Sequence, residues 1–259
     1  MPAEDPKEAT ITAETENEAA EKKKKIDKDA KEKPEELSEE DIALKEGLEL
    51  AVQRLMEEDV ALHQAALNHL ANEIKSATSS MTSVPKPLKF LRPHYDSLKI
   101  VYNRWEESHA MKTLLADVLS VLSMTMAVAG SRECLKFKLL GTAADCSAWG
   151  HEYIRSLAGE IAEECNARAA EVEAELAEEE YVISEELMNL VEDVVPFQMH
   201  HNAEAEAVDL LMEIRQLSKL IDSPVVDEKN FERVCLYLLR SAAYVYDPDD
   251  LAMLYNVTF

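Results

Sequence analysis

Lys112-Thr-Leu-Leu-Ala-Asp-Val-Leu-Ser-Val-Leu-Ser-Met-Thr-Met126 is the stretch that decides the fold, because its apolar residues leave almost no polar face. Large apolar side chains recur at helical spacing and then continue around the helix. A helix that is apolar nearly all round belongs in the centre of a core. We therefore predict a central helix that opens at Ser108 and is stopped by Gly130. Its predicted core residues are Leu114, Leu115, Val118, Leu119, Leu122, Met124 and Met126.

Amphipathic segments with helix-start signals flank this central helix on both sides. Ser38 and Asp59 are N-cap residue types that open a predicted helical hairpin. Ser184 opens a later helix that should end before Pro196, since the residue before a proline avoids the helical region. Further helix starts are predicted at Asn202, Asp227 and Pro248.

A long helix is predicted from about Asp145 to Glu180. Its buried stripe should comprise Trp149, Tyr153, Leu157, Ile161 and Cys165. Beyond Cys165 the sequence is rich in Ala and Glu, so the distal part is predicted to project into solvent or to form an insertion.

The composition supports helices throughout. The chain has only 5 Gly and 9 Pro in 259 residues, and alternating strand-type runs are hard to find. The predicted helices near the carboxyl end pair at a spacing of roughly 35 to 40 residues, which is typical of helical repeats. The predicted fold class is therefore all-α: an irregular helical-repeat, α-solenoid-like arm of antiparallel helix pairs.

The two ends of the sequence differ from its middle. Residues 1–37 mix Lys22–Lys25 with many Glu and contain no aromatic residue, so we predict a disordered, charged, acidic tail. A nuclear localisation signal is the less favoured interpretation of the lysine run. Residues 38–259 form the predicted helical domain. Because the sequence stops on the apolar segment 254–259 inside a predicted helix, we expect further protein to follow it.

Charge narrows the classes of partner. A formal net charge of -25 repels nucleic acid and anionic membrane surfaces, and a basic protein surface suits it better. The 4 Cys lack any CxxC spacing and are typical of buried residues in a reducing compartment. With no long apolar run and no signal-like start, we expect the chain in the cytoplasm and nucleus.

A search for chemistry gives weak candidates. No glycine-rich phosphate loop is present. His201 and Glu204 have metal-ligand spacing on a helix, but a capped helix entry explains them better. Cys134 with His151 could form a nucleophile and base, although buried structural cysteines are far commoner. We therefore predict no enzyme activity, no catalytic residue, no metal site and no cofactor.

The segment from Val84 to Tyr95 has an unusual composition. It is basic in an acidic protein, and prolines and aromatic residues are interleaved with the charges. One interpretation is a partner-docking loop with aromatic and arginine anchors. A rigid connection between helix pairs explains the segment equally well. The predicted partner-binding residues are Lys86, Lys89, Phe90, Arg92 and Tyr95.

The same segment carries a family resemblance. Met81-Thr-Ser-Val-Pro-Lys-Pro-Leu-Lys-Phe-Leu-Arg-Pro-His-Tyr95 resembles, nearly word for word, a block in the amino-terminal region of the proteasome regulatory-particle base non-ATPase subunit two family. Further blocks that are similar to this family follow in chain order. They are residues 119–126, 132–136, 149–153, 157–160, 201–204, 209–214 and 234–237. The stretch 166–180 matches the family least well.

The resemblance implies a helical arm that precedes a toroid of proteasome/cyclosome repeats. It implies a non-catalytic scaffold of the regulatory particle base in ubiquitin-dependent protein degradation, with ATPase-ring and other regulatory-particle subunits as partners. Ubiquitin and the ubiquitin-like shuttle factors would bind only through the downstream toroid. The first alternative is a free-standing helical-repeat adaptor outside the proteasome. The second is a metal-carboxylate helical enzyme built around His201 and Glu204.

Overall fold

The structure is a computed structural model that describes residues 37–78, 84–174, 181–222, 224–245 and 248–258. The chain divides into two units, Met1–Ala43 and Leu44–Phe259. In the first unit, the hydroxyl of Ser38 accepts a hydrogen bond from the backbone N–H of Asp41 at 3.2 Å, which confirms Ser38 as an N-cap. The predicted disorder of the tail concerns residues outside the described ranges.

The described residues form α-helices and short 3₁₀ turns, with no strand among them. The helices are α1 (Glu39–Met56), α2 (Val60–Thr78), α3 (Lys86–Leu91), α4 (Tyr95–Arg104), α5 (Lys112–Met126), α6 (Glu133–Leu139), α7 (His151–Ala174), α8 (Glu185–His200), α9 (Glu204–Glu213), α10 (Lys219–Asp222), α11 (Phe231–Ser241) and α12 (Pro248–Thr258). The 3₁₀ turns are Arg92–His94, Cys146–Trp149 and Ala242–Tyr244. The all-α prediction is confirmed.

Helix α5 lies at the centre of the second unit, as predicted. It packs against α2, α3, α4, α6 and α7. Its side chains from Leu115 to Leu122 are buried, including the polar Asp117 and Ser120. The predicted start at Ser108 was wrong: the residues before Lys112 form turns, in which the Lys112 N–H bonds to the His109 carbonyl. The Lys112 ammonium donates to the Trp105 carbonyl at 2.8 Å, which holds this turn against the helix start.

Sequential helices pack on one another along the chain, which is consistent with a helical-repeat arm. Helix α4 packs on α5, α5 on α6, α7 on α8, α8 on α9, and α11 on α12. Helix α9 also contacts α7 and α11, so neighbouring pairs share a continuous core. No helix in the described ranges combines the length and the apolar composition needed to cross a membrane.

The predicted long helix is interrupted at its beginning. Residues Cys146–Trp149 form a 3₁₀ turn, Gly150 follows with φ of 91°, and α7 begins at His151. A Cβ at Gly150 would lie 2.5 Å from the Thr78 carbonyl oxygen, so the close approach of α2 requires glycine here. The predicted buried stripe from Trp149 to Cys165 is confirmed. The end of the predicted helix, 175–180, lies outside the described residues.

Two predicted helix boundaries around α8 were wrong. The helix continues through Pro196 to His200, although a proline inside a helix removes one backbone hydrogen bond. Apolar residues on both sides of Pro196 are buried, and this packing outweighs the local preference. Asn202 adopts a left-handed conformation with φ of 60°, so it ends α8, and Ala203 is the N-cap of α9.

Candidate partner-binding surface

The basic segment of 84–95 is a short helix followed by a 3₁₀ turn. Pro85 is extended, with φ of -59° and ψ of 147°, and α3 begins directly after it. Pro87 does not continue the extended backbone of Pro85. Pro87 lies in the first turn of α3, where its missing N–H has no helical partner to lose. Pro85 and Pro87 therefore mark the beginning of helix α3.

Helix α3 has one face in the core and one face at the surface. Pro87, Leu88 and Leu91 are buried, and α3 packs against α2 and α5. Lys86 and Lys89 are exposed on the opposite face. Phe90 is half-buried and packs against the core. The structure thus places the two exposed lysines on a short helix that also carries the half-buried Phe90.

Arg92 follows this face and is also half-buried. Its Nε atom is buried, and it has no hydrogen-bond partner among the described residues. Buried donors are nearly always paired in folded proteins. The unpaired Nε atom of Arg92 thus lies inside the protein, and the docking interpretation of this segment stays a prediction.

Tyr95 is buried, with 3% of its surface exposed. Its hydroxyl donates to Glu133 Oε2 at 2.6 Å, and Lys99 donates to the other oxygen at 2.6 Å. Burial opposes ionisation of Glu133, but the hydrogen bonds from Lys99 and Tyr95 prevail and hold the pKa of Glu133 below its ordinary value. Tyr95 thus joins α4 to the start of α6, and Lys86 and Lys89 are the exposed members of the predicted set.

The candidate nucleophile Cys134 lies deep in the core. It is fully buried, and burial raises the pKa of its thiol to about 12. The Ser120 hydroxyl donates to the Cys134 carbonyl at 2.6 Å and lies 2.9 Å from the Tyr153 hydroxyl. The ring of His151 lies against Phe197, with 5.0 Å between centroids. This geometry gives Cys134 a structural role.

The candidate metal ligands His201 and Glu204 are engaged elsewhere. Arg233 forms an ion pair with Glu204, in which the Arg233 Nε atom donates to Glu204 Oε1 at 2.9 Å. Burial opposes ionisation of Glu204, but this hydrogen bond keeps its pKa below the ordinary value. His201 Nδ1 lies 2.7 Å from the Phe197 carbonyl oxygen. Within the described ranges, no group of three or more His, Cys, Asp or Glu residues is placed to hold a metal ion.

The sequence analysis did not predict an aromatic stack between α2 and the turns that precede α5. The Trp105 ring stacks on both His63 and His109, with ring centroids 4.9 Å and 3.9 Å away. The Met111 N–H donates to His109 Nδ1, and His109 Nε2 lies 3.2 Å from His63 Nδ1. His63 Nε2 in turn lies 2.9 Å from the Glu57 carbonyl oxygen. Two neutral imidazoles, each with its proton on Nε2, satisfy every one of these contacts.

Burial, followed by the nearby His63 and Lys112, holds the pKa of His109 below its ordinary value. No sequence motif marks this stack, because His63 lies more than 40 residues before Trp105 and His109 and meets them only in the folded chain.

These features define an all-helical domain of sequentially packed helices whose polar clusters hold one helix to the next. Comparison with known sequences assigns this domain to one family. The chain belongs to the RPN1 N-terminal domain family, whose profile matches residues 48–258. The resemblance drawn from the sequence blocks is thereby confirmed.

Curated relatives support the same family. The chain is 49% identical over 216 residues to the 26S proteasome non-ATPase regulatory subunit 2 homolog A of Arabidopsis thaliana, covering 83% of this chain and 23% of the relative. It is 50% identical over 218 residues to the 26S proteasome non-ATPase regulatory subunit 2 of Dictyostelium discoideum, covering 84% and 23%. It is 46% identical over 220 residues to the 26S proteasome regulatory subunit rpn1 of Schizosaccharomyces pombe, covering 85% and 23%. The chain therefore spans about a quarter of the length of these relatives.

Proposed function

We propose that this chain is a scaffold segment of the proteasome regulatory particle base that supports ubiquitin-dependent protein degradation without catalysing a reaction. The observation that carries the proposal is the identity of 41% to 50% to relatives named as 26S proteasome regulatory subunits. At such identity the helical packing is shared, so the contacts that this region makes in an assembly can be shared as well.

The arrangement of side chains supports a role through contact. Cys134, the candidate nucleophile, is buried, and its raised pKa disfavours the thiolate. Glu204 is neutralised by Arg233. In contrast, α3 presents Lys86 and Lys89 at the surface and carries the half-buried Phe90 beside them in sequence. An exposed cluster of basic and aromatic groups on a rigid element suits protein binding.

The partners in this proposal are the ATPase-ring subunits and other subunits of the regulatory particle. Ubiquitin and ubiquitin-like shuttle factors would be bound by the repeat toroid expected downstream. A net charge of -25 disfavours nucleic acid and anionic membranes as partners. We propose that the protein works in the cytoplasm and nucleus, as expected for this assembly.

Affinity purification tests the proposal. The endogenous protein is tagged, isolated under native conditions with ATP, and assayed for ATP-dependent peptidase activity and for co-purifying subunits. We expect peptidase activity together with ATPase-ring and regulatory-particle subunits. A preparation that contains the tagged protein alone, without peptidase activity, would favour the free-standing adaptor.

A second arm of the same experiment tests the α3 face. The variant Lys86→Glu/Lys89→Glu reverses the charge at two exposed positions and leaves the buried Leu88 and Leu91 intact. We expect a lower yield of co-purified subunits than with Lys229→Glu, which changes an exposed lysine elsewhere. Equal yields from the two variants would remove the α3 face from the proposed interface.

A further inference from the structure

A cavity of about 260 Å³ lies among helices α7, α8 and α9. Helix α7 contributes small residues, α8 contributes Gln198, and α9 contributes acidic residues. The lining residues from α7 are Arg155, Ala158, Gly159 and Ala162, and those from α9 are Glu206, Asp209, Leu210 and Glu213. We call this cavity the Gln198 pocket.

The amide of Gln198 is the unusual feature of this pocket. The residue is 2% exposed, and neither Nε2 nor Oε1 has a hydrogen-bond partner among the described residues. A buried amide without partners is unfavourable, because folding has removed its water without a replacement. The pocket therefore contains a polar group that a ligand can satisfy.

Carboxylates line the side of the pocket contributed by α9. Asp209 Oδ1 accepts from the Tyr237 hydroxyl at 2.6 Å, and Glu206 lies 3.7 Å from Arg155 in a pair that is largely exposed. Glu213 has no cation within salt-bridge distance among the described residues. Burial, followed by repulsion from Asp209 and Glu163, raises the pKa of Glu213. Arg155 of α7 thus offsets the charge of Glu206, while Asp209 and Glu213 leave the pocket with a net negative lining.

The opposite side of the pocket is sterically open. A Cβ built at Gly159 would meet no atom within 4 Å, and Ala158 and Ala162 add only methyl groups. A long side chain from outside can therefore approach the pocket beside Gly159 without meeting a neighbouring atom there.

The side chains that line the pocket determine which kind of ligand it can bind. Residues that the structure describes include no group of three or more His, Cys, Asp or Glu placed to hold a metal ion, so a bare divalent cation does not fit. A guanidinium is planar and carries several N–H donors in a fixed fork. It can donate to the Gln198 oxygen and to a carboxylate at the same time, and its hydrogen bonds to carboxylates are the strong, charge-assisted kind.

We propose that the Gln198 pocket binds an arginine side chain presented by a partner protein. The interaction combines a buried amide acceptor, the unpaired Glu213 carboxylate and an open approach beside Gly159. This inference goes beyond the scaffold role, since it concerns one side-chain pocket and holds whichever assembly the partner belongs to.

Nuclear magnetic resonance with small probes tests the pocket directly. The ligand is N-acetyl-arginine-N-methylamide, and its neutral near-isostere N-acetyl-citrulline-N-methylamide is the control. The signal of the Gln198 side-chain amide, assigned by its loss in Gln198→Met, reports binding. We expect arginine to shift this signal in a saturable way and citrulline to bind at least about tenfold more weakly, because it lacks the charge-assisted bonds.

Three variants complete the test. Gly159→Leu should abolish binding by filling the open side, and Glu213→Gln should weaken binding by about tenfold. Glu186→Gln, an exposed change on α8 outside the pocket, should leave the affinity unchanged. An unaltered thermal midpoint shows that each variant is folded. Equal shifts with citrulline, or an affinity that survives both pocket variants, would overturn the proposal.

Discussion

Replacing Lys138 by methionine should destabilise the protein severely, because it leaves a buried carboxylate without its cation. Lys138 and Asp117 are both buried, and Lys138 Nζ lies 3.9 Å from Asp117 Oδ1. Lys138 also donates to the carbonyls of Thr142 and Ala144, each at 3.0 Å. Methionine preserves most of the side-chain volume and removes all of these donors.

The expected loss of unfolding free energy follows from the contacts that Asp117 keeps in the variant. Thr142 still donates to Asp117 through its N–H at 3.2 Å and its hydroxyl at 2.5 Å, but the charge is no longer balanced. Removing one partner of a buried ion pair typically costs about 3 to 5 kcal/mol. With a urea m-value of about 3 kcal/mol/M, the unfolding midpoint should fall by about 1 to 1.7 M.

The pH dependence of this loss has a defined sign. Burial raises the pKa of Asp117 above its ordinary value even with Lys138 present, although hydrogen bonds from Thr142 and the charge of Lys138 oppose this effect. Without Lys138, the folded carboxyl should hold its proton to still higher pH than the unfolded one. The deficit in unfolding free energy should therefore grow as the pH rises through the folded-state pKa.

Urea denaturation followed by circular dichroism measures the effect. Lys136→Met is the matched control, because Lys136 is exposed on the same helix α6. The double variant Lys138→Met/Asp117→Asn removes the unbalanced charge and should regain about 1 to 3 kcal/mol. A Lys138→Met protein as stable as the control, or a double variant no better than the single one, would refute the reasoning.

Three further predictions concern the core, the histidine stack and a glycine. Leu119→Ala should cost about 2 to 5 kcal/mol, since Leu119 is fully buried, and it should lower the thermal midpoint far more than Leu50→Ala, since Leu50 is 46% exposed. The folded pKa of His109 is lowered, so stability should fall as the pH drops through about 6.5 toward that pKa. His109→Gln should reduce this loss of stability. The test compares the unfolding free energies of the two proteins at pH 7.5 and 5.5, about one pH unit on either side of the ordinary histidine pKa. Gly150→Ala should destabilise the protein more than Gly130→Ala. Both glycines have a positive φ, but only at Gly150 would a Cβ meet the backbone of helix α2. Equal unfolding midpoints for the two variants would contradict this prediction.

Features that depend on local pattern could be predicted from the sequence. The continuous apolar run of α5 is visible without a structure, and so is the stripe from Trp149 to Cys165. Both depend on helical spacing, which the chain carries in its own order. The structure places the stripe in the core and buries α5 from Leu115 to Ser123, but the prediction of Met126 as a core residue was wrong, since it is 37% exposed.

Features that depend on tertiary contact could not be predicted. Pro196 normally ends a helix, but buried neighbours on α8 overrule it. The hydroxyl of Tyr95 meets Glu133 only after α4 and α6 have packed. From the sequence, Gln198 would be expected on the exposed face of a helix. Its amide is buried and unpaired only because α7, α8 and α9 pack around it. Partner binding by Lys86, Lys89, Phe90, Arg92 and Tyr95 stays a prediction.

Sedimentation of native extracts tests the scaffold role most directly. An extract is separated on a glycerol gradient with ATP, and each fraction is assayed for ATP-dependent peptidase activity and probed with an antibody against residues 38–78. We predict that the antibody signal follows the peptidase peak and that salt-stripped particles lose both together. A signal that stays with small proteins, away from the peptidase peak, would contradict the proposed place of this chain in the regulatory particle.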